Sequence, residues 1–578
     1  MATPPIARTD PDWKDLVCTI THGLERGTSR LVGRLAELSN ATLVSFVALA
    51  LFVMAAWPLL LVDLPPLQDL PNHVASAHIA SHLDLYPQYV FNGYFKSNSL
   101  LTLWLHIEGD HGLLGAARAF TAVVLAVNAL ALPIFVLHFA GRRCMLVATL
   151  FVWPLVHGFF LSMGMLNFAI AFPLSLILLT VIDRQRQEPR FRRGLGIVVL
   201  SGVLWYAHPF PLAVVVGIVI LDIVTRPTWR ARIGTSITLL SPLAPVGILL
   251  LVTTLQHLVK AGGSPASAST TFAYLPPWEL VLHYWLDASG ALTRWGSMTI
   301  VPALLLPYFA WKRRQIARAL FSNLTMVILA GAYLCLPTML SNWWYLNCRL
   351  VPFLWVGTAL RVPATVPKPI AFALAACALL FSAVTGFDYV RLDRDRAAFT
   401  AGLDAVPERA TLLPLLFKHR RTSDFTASLT HAWGYYVIAK NTSAPLVFAV
   451  ERSYPITYRV FPPAALIPPA LDRFAELRGT PSQLCKIFPN AHSEDDADCT
   501  LAWHKQWSDF WREAEPRFSH LLTWAIPPEA RPLIPRSYRR TFAAADLEIY
   551  ARQPAPRTGG TADSDPYRVP GIRTSCSR

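Results

Sequence analysis

The chain has 578 residues, 53% of them hydrophobic and 15% charged, with a mean hydropathy of +0.40. Soluble globular proteins carry about 25% charged residues, so an entirely soluble chain is excluded and a polytopic α-helical membrane protein is expected. A net charge of +15 would suggest nucleic acid in a soluble protein. Here the basic residues concentrate in short connections between apolar runs, so the charge reports membrane topology and no nucleic-acid partner is expected.

Residues 1–40 are mixed and polar, with Lys14, Arg26, Arg30 and Arg34 ahead of the first apolar run, and read as a cytoplasmic N-terminal segment followed by an uncleaved anchor. A helix needs about 20 residues to cross a bilayer core. Apolar stretches at 41–62, 112–139, 143–160, 164–182, 194–207, 210–225, 235–255, 297–311, 319–340, 350–362 and 370–386 predict about eleven spans, a transmembrane helical domain over 41–387 with an outer loop at 63–111. Alternate connections carry Arg142 and Arg143, "DRQRQEPRFRR", Arg226, Arg230 and Arg232, "WKRRQIAR", then Arg361 and Lys368; the others carry Lys96, Lys260, Arg294 and Arg349. The positive-inside rule then puts the N-terminus in the cytoplasm. Beyond Phe387 the composition turns soluble, and "APLVFAVE", "ITYRVF" and "DLEIYAR" have strand patterning, predicting an extracytoplasmic α/β domain over 388–555. The last stretch, 556–578, is rich in Pro, Gly, Ser and charge and reads as a disordered tail. No internal repeat of the inverted-topology kind is visible.

Polar chemistry gathers at the outer turns. Loop 63–111 holds Asp63, Asp69, Asp84, Glu108 and Asp110 against Lys96, and "NHVASAHIASHL" places His73 and His78 on a short interfacial helix. "VHGFFLSMGMLNF" offers His157 and Asn167, "WYAHPFP" offers His208, and "SNWWYLNCRLVPF" offers Asn347 and Arg349. Polar groups at membrane depth are costly unless they line a cavity or find partners, so these turns predict one shared outward-facing cavity. Each residue has a plainer role beside the functional one. Asp69 is either the N-cap of the interfacial helix or a base or substrate ligand. His208 before Pro209 is a helix-breaking apex or a ligand, and His157 and Asn167 satisfy neighbouring helices or line the site. Arg349, a permanent cation among apolar and aromatic residues, needs an anion: a lipid headgroup, a structural carboxylate or a bound phosphate. Arg118, inside the second span, has room to snorkel outward.

Most cysteines lie in or at the ends of spans as small apolar fillers. Cys485 and Cys499 differ, standing in the outer domain. A disulfide is expected between them, closing a loop worth roughly 3 kcal/mol. No CxxC or His/Cys cluster has metal-ligand spacing. No GxSxG, Walker or Rossmann signal occurs in a suitable setting, and the inner connections are too short for a nucleotide-binding domain.

The motif "LQDLPNHVASAHI" after the first span, "GLLGAARAF" opening the second and "NCRLVPF" late in the membrane part resemble the GT-C class of integral-membrane glycosyltransferases. The layout resembles that class over about residues 41 to 400. The loop carries one acidic residue where better-defined members have a doublet or Glu-x-Asp, which leaves use of a divalent metal open. What the resemblance implies is sugar transfer from a polyprenyl-phosphate donor to a glycan, lipid or protein acceptor, at the outer face of a bacterial inner membrane. Asp69 would be the general base, with His73 assisting. Arg349 would hold the donor phosphate, and Asn72, His157, Asn167 and His208 would line the substrate pocket. A transporter of an envelope lipid or solute, or a non-catalytic envelope scaffold, remains as an alternative reading of the same features.

Overall fold

The computed structural model describes residues 38–109, 112–261, 272–285, 298–312, 319–340, 343–417, 427–449, 454–477, 479–480 and 496–553. It joins a helical region to a smaller mixed α/β region. The helices in chain order are α1 (Asn40–Ala56), α2 (Leu70–Ser81), α3 (Leu100–Glu108), α4 (Leu113–Ala140), α5 (Arg142–Val152), α6 (Leu166–Gln187), α7 (Phe191–Ala207), α8 (Pro209–Val224), α9 (Trp229–Leu240), α10 (Ala244–Ala261), α11 (Ile300–Lys312), α12 (Asn323–Cys335), α13 (Val351–Ala359) and α14 (Lys368–Thr400).

Five of the predicted spans coincide with helical stretches long and apolar enough to cross a membrane: Asn40–Leu60, Leu113–Ala140, Arg142–Ser162, Leu166–Gln187 and Lys368–Ala405. A sixth is added if α9 and α10, bent by 72° relative to each other, form one span. The bend falls at Ser241–Pro242, where proline cannot continue the hydrogen-bond ladder. At the remaining predicted spans the helices have 17, 16, 13, 13 and 9 residues (α7, α8, α11, α12, α13). Thirteen residues reach about 20 Å, short of the roughly 30 Å hydrocarbon core. The count of about eleven full spans is therefore reduced to five or six by length. Exposed Phe46, Leu49 and Val53 on α1, and Leu379 and Leu380 on α14, give the bundle the apolar outer surface that a bilayer covers.

Side-chain contacts tie the helix ends together in two groups. At one end Arg142 donates to the Leu38 carbonyl at 2.7 Å. There Asp183 is gripped by His138 at 2.8 Å and Arg186 at 2.7 Å, and Arg361 donates to the Phe321 carbonyl at 2.7 Å. At the other end the loop after α1 docks on the turn between the α5 and α6 spans. The Gln68 and Asp69 amides donate to the carbonyls of Ser162 (3.2 Å) and Met163 (3.0 Å). Arg118 donates to the Val62 carbonyl at 3.3 Å, so its charge serves the start of that loop. Trp57 packs its ring on Gly386 of α14 and donates to Ser382 at 2.8 Å, a small-residue helix contact.

The α/β region lies at this second end. Its four-stranded sheet has the order β5 (Leu412–Leu416), β7 (His520–Trp524), β9 (Leu547–Arg552), β8 (Tyr538–Ala544), with β5 and β7 parallel and the other pairs antiparallel. Every residue of β5 and β7 is buried, in keeping with their apolar runs. Helices α15 (Gly434–Lys440), α16 (Pro468–Leu477) and α17 (Asp496–Ala514) accompany it. The first loop and this region are also joined by a ladder: β1 (Tyr89–Phe91) pairs antiparallel with β6 (Ile456–Tyr458), Tyr89 opposite Tyr458. A small sheet of β2 (Phe272–Ala273), β3 (Met339–Leu340) and β4 (Trp343–Trp344) closes the same end. Helix α14 runs unbroken for 33 residues through Phe387, where the sequence ends its apolar part. Cys485 and the tail from residue 554 lie outside the described residues, so the expected disulfide and the predicted disorder do as well.

Helix α15 meets α2 at Gly434, where an added Cβ would stand 2.6 Å from the Pro71 carbonyl oxygen. Backbone cannot move aside cheaply, so Gly434→Ala is expected to cost about 1–3 kcal/mol. Thermal unfolding of the detergent-solubilised chain should show a clear drop, while Gly331→Ala, with open space around it, should change little. Equal midpoints for Gly434→Ala and the parent would contradict this packing.

Candidate functional site

The segment "LQDLPNHVAS" starts α2 with Pro71 in its first turn, where the missing amide hydrogen costs nothing. Asp69 stands at the N-cap, yet its side chain makes no capping hydrogen bond. The Asn72 and His73 amides bond to the Asp69 main-chain oxygen instead. The capping role is thus unfilled and the carboxylate is turned elsewhere. Its Oδ1 lies 3.4 Å from His431 Nε2 and 3.5 Å from Gln68 Nε2. Behind it Gly164, with φ +78°, lets the turn approach closely, since a Cβ there would be 2.8 Å from the Asp69 amide nitrogen.

His431 was not singled out from sequence. Its surroundings fix its tautomer. Asn72 Nδ2 donates to the Leu446 carbonyl at 3.1 Å and points at His431 Nδ1 at 3.3 Å, while Asn72 Oδ1 accepts the Phe448 amide at 3.0 Å. Facing a donor, Nδ1 must accept, so Nε2 carries the hydrogen toward Asp69. Asn72, expected to touch substrate, is fully buried with both amide atoms engaged, and it holds His431 rather than facing an opening. Gln68 works in parallel, its Oε1 accepting the Ala427 amide at 2.8 Å. His73 does sit beside Asp69, its ring edge-on to Phe448 at 5.3 Å. Burial pushes the His73 imidazole down to about 4, with Asp69 opposing and His431 adding to the shift.

The second cluster surrounds Arg349, which is buried. Its guanidinium lies over the rings of Phe168 (5.2 Å) and Trp343 (5.8 Å) and donates to the Trp344 carbonyl at 3.3 Å. Its Nε has no hydrogen-bond partner, and among the described residues no carboxylate pairs with it. Nη1 lies 2.5 Å from His208 Nε2, while the Phe210 amide donates to His208 Nδ1 at 3.1 Å. A neutral imidazole accepts at one nitrogen only. Either tautomer therefore sets one donor against another, and an acceptor that drew Arg349 Nη1 away from His208 would relieve that conflict.

The two clusters share a wall. Asp69 hangs on the Met163 carbonyl, and Arg349 Nη2 contacts Met165 Sδ at 4.0 Å two residues on. Along the opposite wall Phe448, which meets His73 and His431, stacks on Tyr454 at 5.1 Å, and Tyr454 lies within electrostatic range of Arg349. Lys96 donates to the Tyr454 carbonyl. A narrow apolar cavity lined by Leu155, Phe159, Phe160, Phe172 and Pro352 shares the Phe168 ring with Arg349.

Two other expected site residues are used differently. His157 bonds Tyr389 on α14 at 3.1 Å and packs on Phe381, with no described contact to Asp69 or Arg349. Asn167 accepts the Leu101 amide at 2.8 Å and donates to the Asn98 carbonyl at 2.9 Å, fixing the entry to α3. Among the described residues no group of three His, Cys, Asp or Glu side chains is placed to hold a metal ion. Comparison with known proteins found no family model that matches the chain and no curated protein that matches it.

The His73 shift has a pH signature. Unfolded, the ring titrates near 6.5; folded, near 4. Between those values the unfolded chain binds more protons, so stability rises with pH across the window and is lost as pH falls from about 6.5 toward 4. In unfolding scans, His73→Gln should lose less stability between pH 7 and pH 4.5 than the parent. Parallel curves would show that His73 is not held neutral by the fold.

Proposed function

We propose that the chain is a membrane glycosyltransferase of the GT-C type, transferring a sugar with inversion from a polyprenyl-phosphate donor to a cell-envelope acceptor at the outer face. The observation that carries this reading is the meeting, at one four-residue turn, of the Asp69 carboxylate and the buried Arg349 guanidinium, which among the described residues has no carboxylate partner. In this reading the acceptor hydroxyl loses its proton to Asp69 Oδ2 as its oxygen attacks the anomeric carbon. The bond from that carbon to the phosphate oxygen breaks, and polyprenyl phosphate leaves. His431, held by Asn72, engages Oδ1 and leaves the base role to Oδ2, and His73 stays neutral beside it. Arg349 and His208 take up the negative charge that grows on the departing phosphate.

The topology belonging to this reading has the N-terminus in the cytoplasm and the sheet region outside. A periplasm-dependent reporter should be active when fused after Phe387 and silent after Arg186, and the reverse pattern would sink the proposal. A transporter or a scaffold would place the same polar turns at its outer end. Neither needs a base, and activity separates the readings.

Asp69→Asn keeps shape and, with no capping bond to lose, should fold and insert as the parent does. Transfer from a panel of labelled polyprenyl-phosphate sugars should fall about 10²–10⁴-fold, the usual worth of a general base. Arg349→Gln should lower kcat/KM about tenfold to a hundredfold, as expected for charged hydrogen bonds. Full activity in Asp69→Asn would rule out the base role.

A further inference from the structure

A second groove lies away from the Asp69 and Arg349 clusters, between the end of α1 and the middle of α14. Trp57, Leu61, Gly386, Phe387, Val390, Arg391 and Arg394 line it, around about 570 Å³ of empty space that includes its open mouth. Its apolar wall is uncovered: Leu61 is 44% exposed and Phe387 65%. The first span ends at Leu60, and Phe387 stands where the apolar part of α14 gives way to charged residues. Phe387, Arg391 and Arg394 follow at helical spacing on one face of α14, so the arginines root about 6 and 10 Å beyond the phenyl ring.

The charges there are unmet. Arg391 Nε and Nη2 are shut off from solvent and have no hydrogen-bond partner. Among the described residues no carboxylate pairs with Arg391 or Arg394. Asp393 and Asp63 instead face Arg396, at 2.7 and 3.9 Å. An arginine that merely snorkelled to the interface would hold its guanidinium in water. Arg391 lines the groove yet keeps two of its nitrogens out of water with no hydrogen bond.

We infer that this groove binds an anionic phospholipid, its phosphodiester on Arg391 and Arg394 and an acyl chain along Leu61 and Phe387. An apolar wall at the end of the spans with two guanidiniums one to two turns above matches the order of groups in such a lipid, and free phosphate would leave the wall bare. The lipid bridges α1 to the helix that continues into the α/β region. This inference rests on membrane insertion alone and is independent of the transfer reaction.

The test uses the full-length chain in detergent, with phosphatidylglycerol as probe, followed by native mass spectrometry and thermal unfolding. The parent should retain the lipid and gain stability from it, and Arg391→Gln/Arg394→Gln should bind it about tenfold or more weakly. Val390→Trp fills the groove with both charges kept and should also lose the lipid, which keeps the inference testable if the double variant folds poorly. Retention unchanged in either folded variant would overturn it. So would displacement by millimolar inorganic phosphate, which would assign the site to the free ion, or displacement by polyprenyl phosphate with loss of transfer in Val390→Trp, which would assign it to the donor.

Discussion

Main chain that leaves an apolar span must bond its amide and carbonyl groups to something, because lipid supplies no partner. After α1 this requirement is met in part by two hydrogen bonds to the neighbouring turn, from the Gln68 and Asp69 amides to the Ser162 and Met163 carbonyls. They depend on Gly164, whose lack of a side chain lets the two backbones touch. The position of the Asp69 carboxylate follows from them. So does its relation to Met165 and Arg349, since those contacts begin within two residues of the same turn.

The two opposite charges at this end are treated unequally. Asp69 keeps one oxygen in contact with His431 and Gln68, a loose hold at 3.4 and 3.5 Å that fixes direction without neutralising the group. Arg349 is taken out of water among ring faces, a carbonyl, a thioether and an imidazole, and among the described residues it meets no carboxylate. Cation–π contacts offset part of that desolvation. A lone buried cation is otherwise expensive, so its environment favours an arriving anion. At the far end of the bundle the polar groups are instead closed upon themselves, with Asp183 shared among His138, Arg186 and Gln187.

Composition and charge bias made the helical region and its mixed α/β companion legible, because burial and bilayer length act on local sequence. Helix length was less legible. The break at His208–Pro209 was readable, but hydropathy did not show that the helices beside it have only 17 and 16 residues or that the one starting around Pro352 has nine. Asp69 and His73 were readable because four residues of one helix turn bring them together. His431 was not, since it lies 359 residues from the Asn72 that orients it, and nothing in "SLTHAWGYY" signals a partner. The asparagines mark the remaining limit: Asn72 and Asn167 have the chemistry of ligands, and only their neighbours reveal that both are clasps within the protein.

The ladder between β1 and β6 has a consequence for the order of assembly. Residue 89 waits for residue 458, and the bonds from Asn72 reach partners 374 and 376 positions further along. During synthesis the early helices can enter the bilayer long before those partners exist. A nascent or truncated chain therefore carries its carboxylate and its buried arginine without the clasp that orients the first. The clasp around Asn72 and the β1–β6 ladder close only once residues 446–458 have emerged.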